Sequence, residues 1–243
     1  MSSTDCKSAV YTVAVRFRPS PPHMEITHYQ EPTYEGFGDI LNLLSFENYV
    51  INEHADILYY YDETRTSFVN YLINDFFIPK QNINRILKPY RANNFKTDYR
   101  LINHDYWPSK INNKKIFDFA ISLYHVEKII TGKQKRKYIE KKLFLEILNL
   151  LSDKKNVIIN NQNDLNVTKK DVLNISKSNH FIGSDVGMTH IARSLKIPST
   201  IFFRNGNSIY EEVVCPYIDN KIQNLCSSEQ ELIRTIKEYT RMV

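Results

Sequence analysis

The sequence predicts an α/β chain built on mainly parallel sheets, and three observations predict it. Short β-rich runs alternate with longer runs at helical spacing along the whole chain, and that alternation calls for parallel strands joined by right-handed crossovers. Of 243 residues, 42% are hydrophobic and 24% charged, close to the globular norm, which excludes a disordered chain, a collagen and a disulfide scaffold. Arg91–Lys96 is polar and without period, and reads as a linker. It divides the chain into an N-terminal lobe, residues 1–96, and a C-terminal lobe, residues 97–243.

In the first lobe, Tyr11–Phe17 reads as a strand closed by Pro19, Pro21 and Pro22. Thr27–Glu35 reads as a loop or irregular strand, and Gly36-Phe37-Gly38-Asp39 opens a helical pattern carried by Ile40, Leu41, Leu43 and Leu44. Asp56–Tyr61 is a compact apolar strand. Thr64–Asn74 is a helix with Phe68, Leu72 and Phe76 on one face and Pro79 beyond it, and Ile83–Leu87 is a further strand. The second lobe restarts with a strand at Tyr99–Asn103 and a turn at Trp107-Pro108. The spacing predicts helices over Ile116–Ile130 and Lys133–Leu151, a buried strand at Val157–Ile159, and a helix over Lys169–Ser176 capped by Thr168. It then predicts a strand at His180–Gly183, a helix over Gly187–Lys196, a strand at Ser199–Phe203 and a terminal helix over Ser227–Arg241, capped by Ser227 or Ser228.

Charge and cysteine content bound the function. The net charge of +5 permits an anionic partner without demanding nucleic acid, for which a strongly basic stripe is the better sign. Cys6, Cys215 and Cys226 form no metal pattern and read as reduced thiols. Met1 to Lys7 is polar and the apolar stretch Ala9 to Val15 is short, so no secretory leader is expected. No run approaches the length of a membrane span. The expected location is cytoplasmic, or peripheral at the inner membrane face. The seven histidines do not cluster with carboxylates at ligand spacing, so no metal site and no bound cofactor are expected.

The strongest segment for chemistry is Asn179–Ala192. It passes from an apolar strand through a polar turn, Ser184-Asp185-Val186, into an amphipathic helix opening at Gly187-Met188-Thr189-His190. Such a turn presents backbone N–H groups and the positive end of a helix at the carboxyl edge of the sheet, a site for a phosphate or pyrophosphate. Gly183 and Gly187 would let the backbone approach a ligand closely, and His190 lies on the first helical turn. The plain alternative is a structural strand–helix turn with Asp185 as cap.

Asp171–Phe203 resembles the C-terminal donor-binding signature of the heptosyltransferase-like family of GT-B glycosyltransferases, Gly-x-Asp-Ser-Gly-x-x-His-x-Ala followed by a helix and a strand beginning near Pro. Gly183, Asp185, Gly187, His190 and Ala192 stand at the matching spacing, and Pro198 opens the next strand. Where the family has Ser and Pro, this chain has Val186 and Met188. The resemblance is faint elsewhere, and the chain is shorter than the family's members. It implies two Rossmann-like lobes, a nucleotide-diphosphate sugar as co-substrate, inversion at the anomeric carbon and no metal. It further implies that Asp185, Val186, Gly187, Met188, Thr189 and His190 hold the donor diphosphate. Asp39 matches the family's Gly-Asp general base at the start of the first helix, with Gly36 and Gly38 beside it and Glu35 as a nearby substitute. The family also places a phosphate-contacting Lys early in its C-terminal domain, for which Lys110 and Lys114 are the candidates. Arg204, just after the Ser199–Phe203 strand, is a second phosphate contact at the same edge.

The run Lys133-Gln134-Lys135-Arg136-Lys137, with Lys141-Lys142, is a solvated helix face or a contact for anionic lipid headgroups or a phosphate backbone. The expectation is therefore a glycosyltransferase whose acceptor is a bacterial surface glycan or lipopolysaccharide core, free or lipid-linked. The alternatives are a phage-type glycosyltransferase acting on hydroxymethylpyrimidine bases in DNA, and a nucleotide- or phosphate-binding module without turnover.

Overall fold

A computed structural model describes residues 24–28, 55–62, 66–76, 83–90, 109–130, 137–160, 164–184, 187–204 and 222–242. The chain separates into two compact units, with described residues from 24 to 90 in the first and from 109 to 242 in the second. The sequence's linker, the strands at Tyr11–Phe17 and Tyr99–Asn103, the helix opening at Gly36 and the Trp107-Pro108 turn lie outside the described residues.

The first unit holds a parallel three-stranded sheet in the order β1 (Met24–His28), β2 (Ala55–Asp62), β3 (Ile83–Tyr90). β2 and β3 fall where the apolar runs predict strands. β1 falls on Met-Glu-Ile-Thr-His, partly inside the predicted loop, because a five-residue strand is too short to show a period. Pro89 sits in β3, an edge strand among the described residues, the kind of strand in which proline is tolerated. Between β2 and β3, helix α1 (Thr66–Tyr71) runs into a π-helical turn, Leu72–Phe76. Phe68, Leu72 and Phe76 are buried, the face that the spacing predicts. Burial, with Asp75 adding to it, pushes the Tyr71 hydroxyl up to about 12.

The second unit is built on a five-stranded, all-parallel sheet. Its strands are β4 (Phe117–Ser122), β7 (Asn156–Ile158), β8 (Ser178–Ser184), β9 (Ser199–Phe202) and β10 (Gln223–Cys226), in the order β10-β9-β8-β4-β7. A small parallel pair, β5 (Tyr124–Val126) and β6 (Tyr138–Glu140), follows β4. The helices are α2 (Lys141–Leu150), α3 (Leu165–Ser176), α4 (Gly187–Ser194) and α5 (Glu229–Met242). Alternate strand residues serve opposite faces, as the period of two requires. Phe119, Ile121, Ile182 and Phe202 join Phe144 and Ile147 of α2 and Leu232 and Ile236 of α5 in one buried cluster. Ala120 and Phe181, equally buried, point the other way, toward Val172 and Ile175 of α3 and Ile191 of α4.

Several expectations are corrected here. Ile116–Ile130 is not a helix. Its first half is β4, the strand between β7 and β8, buried on both faces. A strand of that kind reads as a nearly continuous apolar run, and a short run of this sort mimics a buried helix segment. Within the predicted helix Lys133–Leu151, Tyr138–Glu140 is β6 and only Lys141–Leu150 is α-helical. Val157–Ile159 lies at the sheet edge, and Ile158 is 45% exposed. α3 begins earlier than Lys169. Asp164 caps it, accepting from the Val167 N–H at 2.9 Å, and Thr168 is buried inside the helix. β10 has no counterpart in the sequence reading.

The remaining elements fall where the pattern puts them, with local reasons. The Ser228 hydroxyl oxygen at the start of α5 accepts from the Glu231 N–H at 3.2 Å. The Glu231 carboxylate reaches back to accept from the Ser227 N–H at 2.8 Å, a capping box displaced by one residue.

Candidate functional site

Winding order locates the crevice. The chain enters the second unit's sheet at β4, moves out to β7, then returns past β4 to lay down β8, β9 and β10. The direction of winding reverses between β4 and β8. In open parallel sheets the crevice beyond the carboxyl ends of two such strands is where ligands bind. The strand–turn–helix segment that stands out in the sequence leaves β8 at that place.

Specific bonds hold the edge together. Ser122 at the end of β4 pairs with Gly183 in β8. The next residues are tied across the gap, because the Tyr124 N–H donates to the Ser184 hydroxyl oxygen at 3.0 Å. The Thr189 hydroxyl donates to the Ser184 carbonyl at 2.7 Å, fastening the first turn of α4 to the end of β8. Thr189 therefore positions the helix start, and its hydroxyl hydrogen is directed at the backbone.

His190 is 9% exposed, packed under the helix rather than displayed at its tip. Burial is the main reason its pKa falls to about 3, and the charges of Arg193 and Lys137 push the same way. The imidazole is therefore neutral near pH 7. Of these charges, that of Lys137 has the smaller effect on His190. Lys137 ends the loop that leaves β4 at its carboxyl edge, and it is half-buried. Tyr124 and Tyr138 meet beside it with ring centroids 5.4 Å apart, and burial raises the Tyr124 hydroxyl above its ordinary value, with Tyr138 adding to the effect.

The structure places the sequence's candidates as follows. Gly187, Met188, Thr189 and His190 form the opening of α4 at the switch point. Arg204 follows β9 at the same edge, where it is ion-paired with Glu229 and lies over the Phe202 ring at 5.5 Å. Lys114 does not join them. Its neighbours Asn113 and Lys115 bond to Ser176, at 2.7 Å to the hydroxyl and 2.8 Å to the carbonyl, which fixes this segment at the amino edge of the sheet. Six residues of β4 then intervene, roughly 20 Å of strand. Lys110 precedes that anchor and is exposed. Asp39, Glu35, Gly36, Gly38, Asp185 and Val186 lie outside the described residues.

Gly183 has a reason of its own. A Cβ there would come within 2.4 and 2.6 Å of carbons of the Phe181 ring, and no glycine among the described residues has a positive φ. The missing side chain makes room for Phe181 rather than for an unusual backbone.

Tyr124 has no place in the sequence reading, and Lys137 enters it only as the end of a basic run, because β4 reads as helix. The usable signal is the alternation Phe117, Phe119, Ile121 ending in Ser122. Among the described residues, no group of three or more His, Cys, Asp or Glu is placed to hold a metal ion, and no helix is long and apolar enough to cross a membrane. No protein-family model, curated protein or solved structure matches the chain.

Proposed function

We propose that the second unit binds the diphosphate of a nucleotide sugar at the β4–β8 switch point and that the chain is a metal-independent, inverting glycosyltransferase. One observation carries the reading: the segment that resembles a donor-binding signature leaves the sheet where a parallel sheet of this strand order binds ligands. Asp39 takes the proton from an acceptor hydroxyl. The oxygen forms its bond to the anomeric carbon from the face opposite the diphosphate, and the bond to the diphosphate oxygen breaks. The leaving diphosphate carries the electron pair and the added negative charge. The N–H groups opening α4 and the Lys137 ammonium are suited to receive that charge without rearranging, which is the electrostatic share of the catalysis. His190, held neutral, supports the turn from beneath. Arg204 is the second cation at this edge, steadied by Glu229. A glycan or lipid-linked sugar is the acceptor this reading favours.

The test is a thermal-shift screen against nucleotide sugars, with assay of the free nucleoside diphosphate released. A bound donor at a hundred times its Kd adds about 2.7 kcal/mol of stability. Lys137→Ala is expected to weaken donor binding roughly tenfold, the usual weight of one charge-assisted contact, and Asp39→Asn to abolish release while donor binding survives. A chain that neither gains stability from any nucleotide sugar nor releases diphosphate is not this enzyme.

A further inference from the structure

We infer that Tyr124 and Tyr138 form a stacking platform for the base of a nucleoside diphosphate held at the β4–β8 switch point. The inference rests on the donor-site reading and adds to it the part that recognises the nucleoside.

Local contacts place the pair. The Tyr124 N–H donates to the Ser184 hydroxyl oxygen at 3.0 Å, so β5 begins beside the end of β8. In the β5–β6 ribbon Tyr124 stands opposite Tyr138, and His125 opposite Ile139. Successive side chains point to opposite sides of a strand, so the ribbon has two different sides. His125 stacks on Phe144 of α2 with ring centroids 4.0 Å apart, and Ile139 is buried in the same cluster as Phe144. That side is turned to α2 and the core, and the tyrosines stand on the other. Lys137, next to Tyr138, has its charge felt at His190 in the first turn of α4, so the start of β6 is within electrostatic reach of the α4 opening.

The pair has the chemistry of a platform. The two rings lie 5.4 Å apart, tilted by 35°, and both are half-buried, so ring surface stays open. Burial keeps the Tyr124 hydroxyl above its ordinary value, so near pH 7 it sets no negative charge against a diphosphate. Val126 continues the tyrosine side, and Glu140, opposite it, is exposed at the far end. Aromatic rings and an aliphatic group next to the switch point suit a flat base. A sugar, with its several hydroxyls, calls for several hydrogen-bonding partners at once. Every base has a π-face, so the platform holds the nucleoside without choosing strongly among bases.

Calorimetric titration of the full chain with ADP, GDP, CDP and UDP, and with inorganic pyrophosphate, tests it. At least one of these nucleoside diphosphates is expected to bind more tightly than pyrophosphate. Tyr138→Ala should lower that affinity about tenfold and leave pyrophosphate affinity within about twofold, and Tyr138→Phe should keep both. Tyr138→Leu, which fills the volume without a π-face, takes its place where the alanine variant loses the circular dichroism of the parent. Nucleotide affinity that Tyr138→Leu leaves intact overturns the inference. So does an equal loss for nucleotide and pyrophosphate, which makes Tyr138 a structural support. A loss seen only when a sugar is attached to the nucleotide overturns it too, by giving the platform to the sugar. A parent that binds pyrophosphate as tightly as every nucleoside diphosphate removes the platform alone. A parent that binds neither pyrophosphate nor any nucleotide removes the donor site and the platform with it.

Discussion

Gly183 shows how one residue type answers two different demands. Read from the sequence, a glycine before a polar turn suggests close approach of backbone to ligand. In the structure it lies within β8 with no need of positive φ, and the space its side chain would fill holds the Phe181 ring. Phe181 is fully buried, so the ring cannot swing aside without disturbing its neighbours. Gly183→Ala should therefore destabilise the protein by about 1–3 kcal/mol, the range for overpacking a filled core. Urea denaturation would read the loss. Adding Phe181→Leu should recover part of it, because the clash has a single named partner. A role confined to ligand approach would instead leave stability unchanged and gain nothing from the second substitution. Lys137 makes the converse point. In the sequence it ends a run of cations that looks like any solvated helix face. Its charge is felt at His190, on a different element of the second unit, which no local pattern encodes.

At the scale of elements, α4 matters most because its opening stands at the switch point of the sheet, and its far end can be tested without touching that opening. The helix closes with Lys196 in the left-handed region, at φ 54. The Ile197 N–H returns to the Ala192 carbonyl and the Lys196 N–H to the Arg193 carbonyl, each at 2.9 Å, the two bonds of a Schellman closure. A side chain in that conformation is strained where glycine is not. Lys196→Gly should stabilise the protein by about 0.5–1 kcal/mol and raise Tm by a few degrees, about 2–4 °C per kcal/mol, with donor affinity unchanged. A fall in Tm would show that the lysine side chain contributes more than its backbone strain costs. Much of the element pattern is legible in the sequence. β2, β8, β9, α4 and α5 fall on runs bounded by turn residues or caps, and Phe68, Leu72 and Phe76 reveal the buried face of α1 and its π-helical turn. β4 is hard to read, since its alternation of Phe117, Phe119 and Ile121 spans only six residues and buried Ala120 and Ser122 on the other face blur it. β10, four residues long with Asn224 exposed, has too little apolar content to signal anything. With β4 read as helix, Lys114 is expected beside the Gly187 turn, whereas its neighbours Asn113 and Lys115 are anchored to Ser176 at the amino edge.

At the scale of the whole molecule, two buried imidazoles among the described residues, His180 and His190, shape the response to acid. His180 lies in β8 with the Tyr239 ring 4.0 Å from its own and Phe119 edge-on at 5.9 Å, and one ring nitrogen is 2.9 Å from the Thr200 hydroxyl oxygen. Burial lowers its pKa to about 4, and burial with neighbouring cations lowers that of His190 to about 3. In the unfolded chain both return to about 6.5, so as pH falls below that value the unfolded state takes up protons that the native state refuses. The stability held by the neutral rings is intact above about pH 6.5 and declines steadily as pH approaches 4. Each ring should account for roughly 1.5 kcal/mol lost between pH 6.5 and about pH 5. Carboxylates add little in that window, because in the unfolded chain they titrate lower, near about 4. Urea midpoints followed by circular dichroism across the window would measure the slope. His180→Phe keeps an aromatic ring between Phe119 and Tyr239 and should remove about half of it, whatever it does to stability at neutral pH. An unchanged slope would mean that His180 is protonated in the native fold, which the apolar walls around it do not allow. An all-parallel sheet packed with helices on both faces has its polar groups at its edges, so the second unit should lose stability in mild acid through these two interior rings before its surface charges respond.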